Sequence, residues 1–372
     1  MSPETSGRES GIPPSSEAGP KRPGAKREER KVERLTVPVL VRRWGQAQPD
    51  KAFVVTDDDT LSYGQLERET AASAYRFATA GVSKGTRVGI LMPNGTAWPV
   101  VAIGASRAGA TVVPLSTLLR PPELAAHLRA AGVEHLVLVP TFRDRDYVAD
   151  LASISPRLVP ATGLFVEALP RLRSITLWDA ARRRQGDEPF RAELVESLDA
   201  AVRPADDLVV IFTSGSRGQP KGVIHTHGGA LGATAAGLDA RRLGPDGRLY
   251  IPMPFFWVGG FGTGLLSALI AGATLLTEHR PQQERTLPNF LGMTDVEVRV
   301  VDVETGVPVG AGVAGEIQLR GPNLMRGICG RTRRETFTED GFYQTGDLGR
   351  LDAEGYLHLD LDESAAHRAA DG

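Results

Sequence analysis

From Leu35 onward the apolar residues form short runs whose spacing alternates between helical and extended periods. Val37, Leu40, Val41 and Trp44 recur at helical intervals, and Pro49-Asp50 stops that helix. Ala52–Val55 reads as a strand, Asp57-Asp58-Asp59 as a solvated turn and Leu61-Ser62-Tyr63 as the returning strand. Residues 64–80 suit a helix closed by Gly81. Residues 86–139 then alternate strand, helix, strand, helix, strand. The strands are Arg87–Leu91, 110–115 and 133–139. Asn94 fits the N-cap of the helix that runs to Arg107. Pro121 and Pro122 suit the first turn of the next helix, with Gly132 beyond its end. Such alternation predicts an α/β fold with a parallel sheet covered by helices. Residues 140–206 admit two further βα units, with a strand over 174–178.

A buried strand over 208–212 ends in Thr213-Ser214-Gly215-Ser216-Arg217-Gly218-Gln219-Pro220-Lys221-Gly222, and a second extended run follows. Glycines let backbone N–H groups turn toward an anion, because no Cβ blocks the approach. Thr213, Ser214 and Ser216 add hydroxyls, and Lys221 adds a full positive charge. The set suits the phosphates of a nucleotide. It is not a Walker A loop, since the lysine lies beyond a proline and no Ser or Thr follows it. His225 and His227 alternate on the second run and would face one side; with no further ligand nearby they do not read as a metal site. A helix over 228–238 follows.

Composition narrows the class. The chain has 372 residues, 41% apolar and 24% charged, with net charge −2, so it suits a soluble globular protein rather than a general nucleic-acid binder. Its one cysteine, Cys329, rules out an internal disulfide and fits a reducing, cytoplasmic compartment. Residues 1–34 hold eight basic and six acidic residues and few large apolar ones, so a disordered tail is expected. The uncharged stretch 251–277 is long enough to span a membrane, but its prolines and glycines favour a buried loop and helix.

The order Thr-Ser-Gly-Ser-x-Gly-x-Pro-Lys-Gly at 213–222 resembles the phosphate-loop signature of the adenylate-forming superfamily, which includes acyl-CoA synthetases, luciferases and peptide-synthetase adenylation domains. Arg217 stands where threonine is usual. The resemblance extends to Leu61-Ser62-Tyr63 before a helix, Met92-Pro93-Asn94 after a strand and Gly315-Glu316-Ile317. It extends further to Tyr343-Gln344-Thr345-Gly346-Asp347. It implies a large adenylation domain with helix-covered sheets and a β-rich lobe. By this reading 1–34 is a tail and 35–285 the N-terminal part with the phosphate loop. Residues 286–359 form the β-rich lobe, and 360–372 stand in place of a small C-terminal domain.

The resemblance also implies roles. Thr213, Ser214, Gly215, Ser216, Gly218 and Lys221 would hold phosphate, Lys221 being catalytic, and Asp347 would hold the ribose hydroxyls. Pro252-Met253-Pro254-Phe255-Phe256-Trp257-Val258-Gly259-Gly260 resembles the segment that lines an acyl pocket, with Trp257 in the place of a usual histidine. Phe256, Trp257 and Gly259 would then touch the acid; the aromatics serve equally well as plain core. Between Ala273 and Glu297 the chain is short for the family, and Leu291-Gly292-Met293-Thr294-Asp295 matches its Tyr-Gly-x-Thr-Glu motif only in part. There Thr294 would meet phosphate and Asp295 would hold Mg²⁺. The hinge signature and the small domain's lysine have no counterpart after Leu359. The implied function is ATP-dependent activation of a carboxylic, fatty-type acid to an acyl-adenylate and then a thioester of CoA or of another acceptor thiol. The alternative is an inactive homologue that binds nucleotide.

Overall fold

A computed structural model describes residues 35–178, 191–213, 220–277, 297–321, 324–351 and 357–359. The first helix, α1 (Val37–Ala47), buries Val37, Leu40 and Val41, the apolar positions at helical spacing. Strands β1 (Ala52–Val55) and β2 (Thr60–Ser62) form the expected antiparallel pair. Helix α2 (Tyr63–Thr79) starts in a reciprocal capping box: Ser62 accepts from the Gln65 N–H and Gln65 accepts from the Ser62 N–H. Gly81 follows at φ +87°.

The large sheet is built from β3 (Arg87–Leu91), β4 (Thr111–Pro114), β5 (His135–Leu138), β8 (Ala161–Thr162), β9 (Ser174–Leu177), β10 (Asp207–Thr213), β11 (Lys221–Thr226) and β16 (Gly327–Ile328). Between its third and fourth strands lies the short hairpin of β6 (Thr141–Phe142) and β7 (Arg145–Asp146). The spatial order is β16-β11-β10-β4-β3-β5-β9-β8. The middle five strands are parallel, and antiparallel strands close both edges. Helix α3 (Ala97–Arg107) carries the chain from β3 to β4 on one side, and α4 (Pro121–Ala131) carries it from β4 across to β5 on the other. Right-handed crossovers in opposite directions put their helices on opposite faces. Accordingly Trp98 and Val101 of α3 pack in one core, and Leu124 and Leu128 of α4 in another. Helices α5 (Tyr147–Ile154) and α6 (Ala192–Ala201) complete the cover.

Helix α7 (His227–Ala235) follows β11 directly. His227 therefore opens a helix instead of continuing the strand, and it does not share a strand face with His225. A smaller sheet, β12-β13-β1-β2, joins β12 (Arg248–Tyr250) and β13 (Thr274–Leu276) to the first hairpin. The third sheet, β14-β15-β17-β18, is antiparallel throughout. Its strands are β14 (Glu297–Val301), β15 (Gly315–Arg320), β17 (Tyr343–Leu351) and β18 (Leu357–Leu359). Strand β16 leaves this lobe and pairs with β11.

Candidate active site

Strands β10 and β11 frame the candidate phosphate loop. Residues 208–211 are buried, which fixes β10 in the middle of the molecule. Thr213 and Lys221 are paired directly across the antiparallel ladder. The two-residue period puts both on the face that carries Val209, Ile211, Val223 and His225. Thr213 is exposed and Lys221 half-buried. Among the described residues no carboxylate pairs with Lys221. Gly222 is dictated by packing: a Cβ there would lie 2.8 Å from Val210 Cγ1. Ser214, Gly215, Ser216 and Gly218 lie outside the described residues, as do Thr294 and Asp295.

The histidine just past this strand end is structural. His227 is buried, and its Nδ1 accepts from the Val37 N–H at 3.2 Å. Burial pushes its pKa down to about 4. Thr226 caps α7 by accepting from the Gly229 N–H. Among the described residues no group of three His, Cys, Asp or Glu could hold a metal.

The segment read as an acid pocket is clamped from below. Asn94 was expected to cap α3, but the residue flanking that helix is Thr96. Asn94 instead is 3% exposed and ties down the following loop. Its Oδ1 accepts from the Phe255 N–H at 2.7 Å. Its Nδ2 donates to the Met253 carbonyl at 3.1 Å and to Thr277 Oγ1 at 2.9 Å. Phe255 is buried edge-on against Trp98, with ring centres 5.4 Å apart. Phe256 is also buried, whereas Trp257 is 45% exposed and stands edge-on to it at 5.6 Å. The chain then enters a π-helical segment, Gly259–Leu266. Such wide turns are uncommon and concentrate at functional sites. Gly260 permits the close approach of loop and helix, since a Cβ there would sit 2.0 Å from the Pro254 carbonyl oxygen.

Asp347 lies on β17 at a bulge. Gln318 pairs with Gln344 and Glu316 with Leu348, so Thr345, Gly346 and Asp347 are crowded opposite Ile317. Gly346 turns at φ +77°. Glu316 Oε1 accepts from the Gly346 N–H, Thr345 Oγ1 donates to the Ile317 carbonyl, and the Asp347 N–H donates to Thr345 Oγ1. The carboxylate itself is exposed. Glu316 and Thr345 thus fix the backbone that carries Asp347. The Gly-Glu-Ile and Thr-Gly-Asp motifs are one device, which their separation in sequence conceals.

Parallel topology brings these parts to one edge. The carboxyl ends of β10 and β3 are two strand spacings apart in the sheet order, roughly 10 Å. Thr213 ends β10, and Asn94 follows β3 with the Met253-to-Trp257 loop bonded to it. Such edges are where open α/β sheets bind ligands. The lobe approaches on the same face of the sheet: Ile328 pairs with Val223 and clusters with Phe337, Met325 and Tyr343. Asp347 makes no hydrogen bond to β10 or β11 among the described residues. Asn94 was legible in the sequence only as a polar residue after a strand; its partners lie 159 to 183 residues away.

The family model for AMP-binding enzymes matches residues 41–293, a span that includes both β10 and β11 and the loop bonded to Asn94. The chain belongs to that family. A methyl-dioxo-octahydroindenyl-propanoyl:CoA ligase of Mycobacterium tuberculosis is 30% identical over 247 residues, covering 65% of this chain and 46% of the relative. The ligase of that name from Rhodococcus jostii is 27% identical over 410 residues, covering 87% of this chain and 78% of the relative. A feruloyl-CoA synthase of Amycolatopsis is 26% identical, covering 85% and 76%. The Rhodococcus alignment is longer than the part of this chain it uses, so the relative carries residues where this chain has none. The fold matches the N-terminal domain of FACL13 from Mycobacterium tuberculosis at TM-score 0.68 and 20% identity, over 88% of this chain and all of that one. It matches ATP-bound MatB from Rhodopseudomonas palustris at TM-score 0.64 and 19% identity, over 87% and 78%.

Proposed function

We propose that this chain binds ATP and a carboxylic acid and joins them as an acyl-adenylate, the first half of an acyl-CoA ligase reaction. The observation that carries the reading is the pairing of Thr213 with Lys221 at the carboxyl edge of the parallel sheet. A hydroxyl and an ammonium on one face suit the charge that builds on a phosphate under attack. Lys221 offsets that charge, and Thr213 with the loop residues Ser214, Gly215, Ser216 and Gly218 holds the phosphates. Asp347 accepts from both ribose hydroxyls, for which a carboxylate with free oxygens is suited. The buried Phe256 and the half-exposed Trp257 and Gly259 border the acid, and their apolar character favours a fatty or aromatic acyl group. The acid's oxygen attacks the α-phosphorus and pyrophosphate leaves. A thiol, of CoA or of a carrier protein, then takes the acyl group and releases AMP. Magnesium belongs to this chemistry by family, with Thr294 and Asp295 as the residues to test. Among the described residues no helix is long and apolar enough to cross a membrane.

The gapped alignment with the Rhodococcus relative favours a second reading, nucleotide binding without turnover. Acid-dependent exchange of pyrophosphate into ATP separates the two. Exchange that depends on acid and disappears in Lys221→Ala is expected. A folded chain that binds ATP yet shows no exchange with short, medium, long or aromatic acids establishes the second reading instead.

A further inference from the structure

The hydrogen bonds of Asn94 form a clasp between three distant parts of the chain. Its two ends are fixed by their neighbours: Oδ1 faces the Phe255 N–H, and Nδ2 faces the Met253 carbonyl and the Thr277 hydroxyl. Thr277 extends the clasp. Its hydroxyl donates to the Ile251 carbonyl at 3.0 Å, and its N–H donates to the Val55 carbonyl at 3.0 Å. The turn after β3 in the large sheet is thereby bonded to the end of β13 in the small one, with residues 251–255 held between them. Asn94 and Thr277 are both buried, at 3% and 4% exposure. Every polar atom of the Asn94 side chain is engaged, so no water is needed to complete the set.

The clasp ends one residue before Phe256 and two before Trp257. Beyond it the Trp257 N–H donates to the Pro254 carbonyl at 3.0 Å, and Gly260 is pressed against that same carbonyl. Between these two anchors the chain exposes only Trp257, Val258 and Gly259, the last half-buried. We propose that Asn94, acting with Thr277, is a positioning residue that sets the shape of the acid site. It touches no substrate; it fixes the backbone that presents Phe256 and Trp257. The inference rests on the reading of this segment as the acid pocket, and it assigns the specificity of that pocket to a side chain on the opposite sheet. Loss of the clasp therefore weakens recognition of the acyl group and leaves recognition of the nucleotide as it was.

The test compares binding of AMP with binding of two stable acyl-adenylate mimics, decanoyl-sulfamoyl-adenosine and feruloyl-sulfamoyl-adenosine, by titration calorimetry. The proteins are wild type, Asn94→Ala, Thr277→Val and the conservative Thr277→Ser, each checked for a cooperative melt. In wild type one mimic binds more tightly than AMP. Asn94→Ala and Thr277→Val lose at least tenfold affinity for that mimic and stay within twofold for AMP, and Thr277→Ser stays close to wild type. Hydrogen exchange of the Phe255 amide quickens in Asn94→Ala. An equal loss for AMP and mimic overturns the inference, since a general loss of structure has no reason to spare the nucleotide. Mimics that bind wild type no better than AMP overturn it as well. A wild type that shows the acyl-dependent pattern but no pyrophosphate exchange sinks the catalytic reading alone.

Discussion

Gly346 sits at φ +77° on an exposed bulge with nothing within 4 Å of where a Cβ would lie. Space is therefore free there, and only the backbone conformation opposes a side chain. Gly346→Ala costs about 1 kcal/mol or more because an L residue resists this region. The relaxation shifts the backbone that carries Asp347, the residue proposed to hold the ribose. A small drop in melting temperature with a larger fall in ATP affinity is expected. A variant with unchanged ATP affinity would remove the bulge from the account. His227 gives a residue-scale dependence on pH. Its imidazole is held neutral with a pKa of about 4, against about 6.5 in an unfolded chain. Between these values the unfolded chain takes up the proton and the folded chain does not. The stabilisation is whole above about pH 6.5 and falls as the pH drops toward 4, by roughly 3 kcal/mol for each such histidine. His225 carries the same shift but is only half-buried, so His227 is the cleaner reporter. Urea midpoints of His227→Gln should fall less steeply over that window; a slope equal to wild type contradicts the assignment. Neither role was visible in sequence. Gly346 was read as a motif letter, and His227 as a strand residue, because the strand's alternation runs unbroken up to the Thr226 cap.

Helix α3 is the element on which the sheets close, with every residue after Ala97 buried. Arg107 at its end is therefore a buried cation, 1% exposed. It forms a two-pronged pair with Asp199 of α6, Nε to Oδ1 at 3.0 Å and Nη2 to Oδ2 at 2.8 Å. Its Nη1 donates to the Glu67 carbonyl and to Thr70 Oγ1 on α2. One guanidinium thus fastens three helices. Removing Asp199 leaves this buried cation with only the Glu67 carboxylate, 3.3 Å from Nη2, so Asp199→Ala costs roughly 3 kcal/mol. Urea unfolding checks this; a loss under 1 kcal/mol means that α6 is not held this way. The elements themselves were legible from local signals. Gly81 and Gly132 ended helices, Pro121 opened one, and the extents of β3 and α4 match the reading residue for residue. The Arg107 pair was not legible, since its halves lie 92 residues apart. The π-helical segment was hidden for a different reason: its apolar run fits any buried helix, and nothing in that spacing marks the wider i→i+5 turn.

At the scale of the molecule, three sheets bring together pieces that no stretch of sequence holds. The five-strand parallel core follows from the βα alternation, and its order from the handedness of the crossovers. The attachment of the lobe through β16 to β11 was not foreseen, because a two-residue strand leaves no periodic trace. That attachment brings the lobe onto the Lys221 face, the side from which the proposed ribose contact of Asp347 would have to be made. The proposed nucleotide site needs both the loop and the lobe. The most direct test titrates ATP and 2′,3′-dideoxy-ATP, each with magnesium, into wild type, Lys221→Ala and Asp347→Ala. Hydrogen bonds to a charged group contribute about 1.5–3 kcal/mol each. Asp347→Ala should therefore weaken ATP at least tenfold and leave the dideoxy form, which has no hydroxyls to lose, unchanged. Lys221→Ala should weaken both forms alike. If Asp347→Ala weakens the two nucleotides equally, or neither, then Asp347 does not hold the ribose, and the loop and the lobe do not share one ligand.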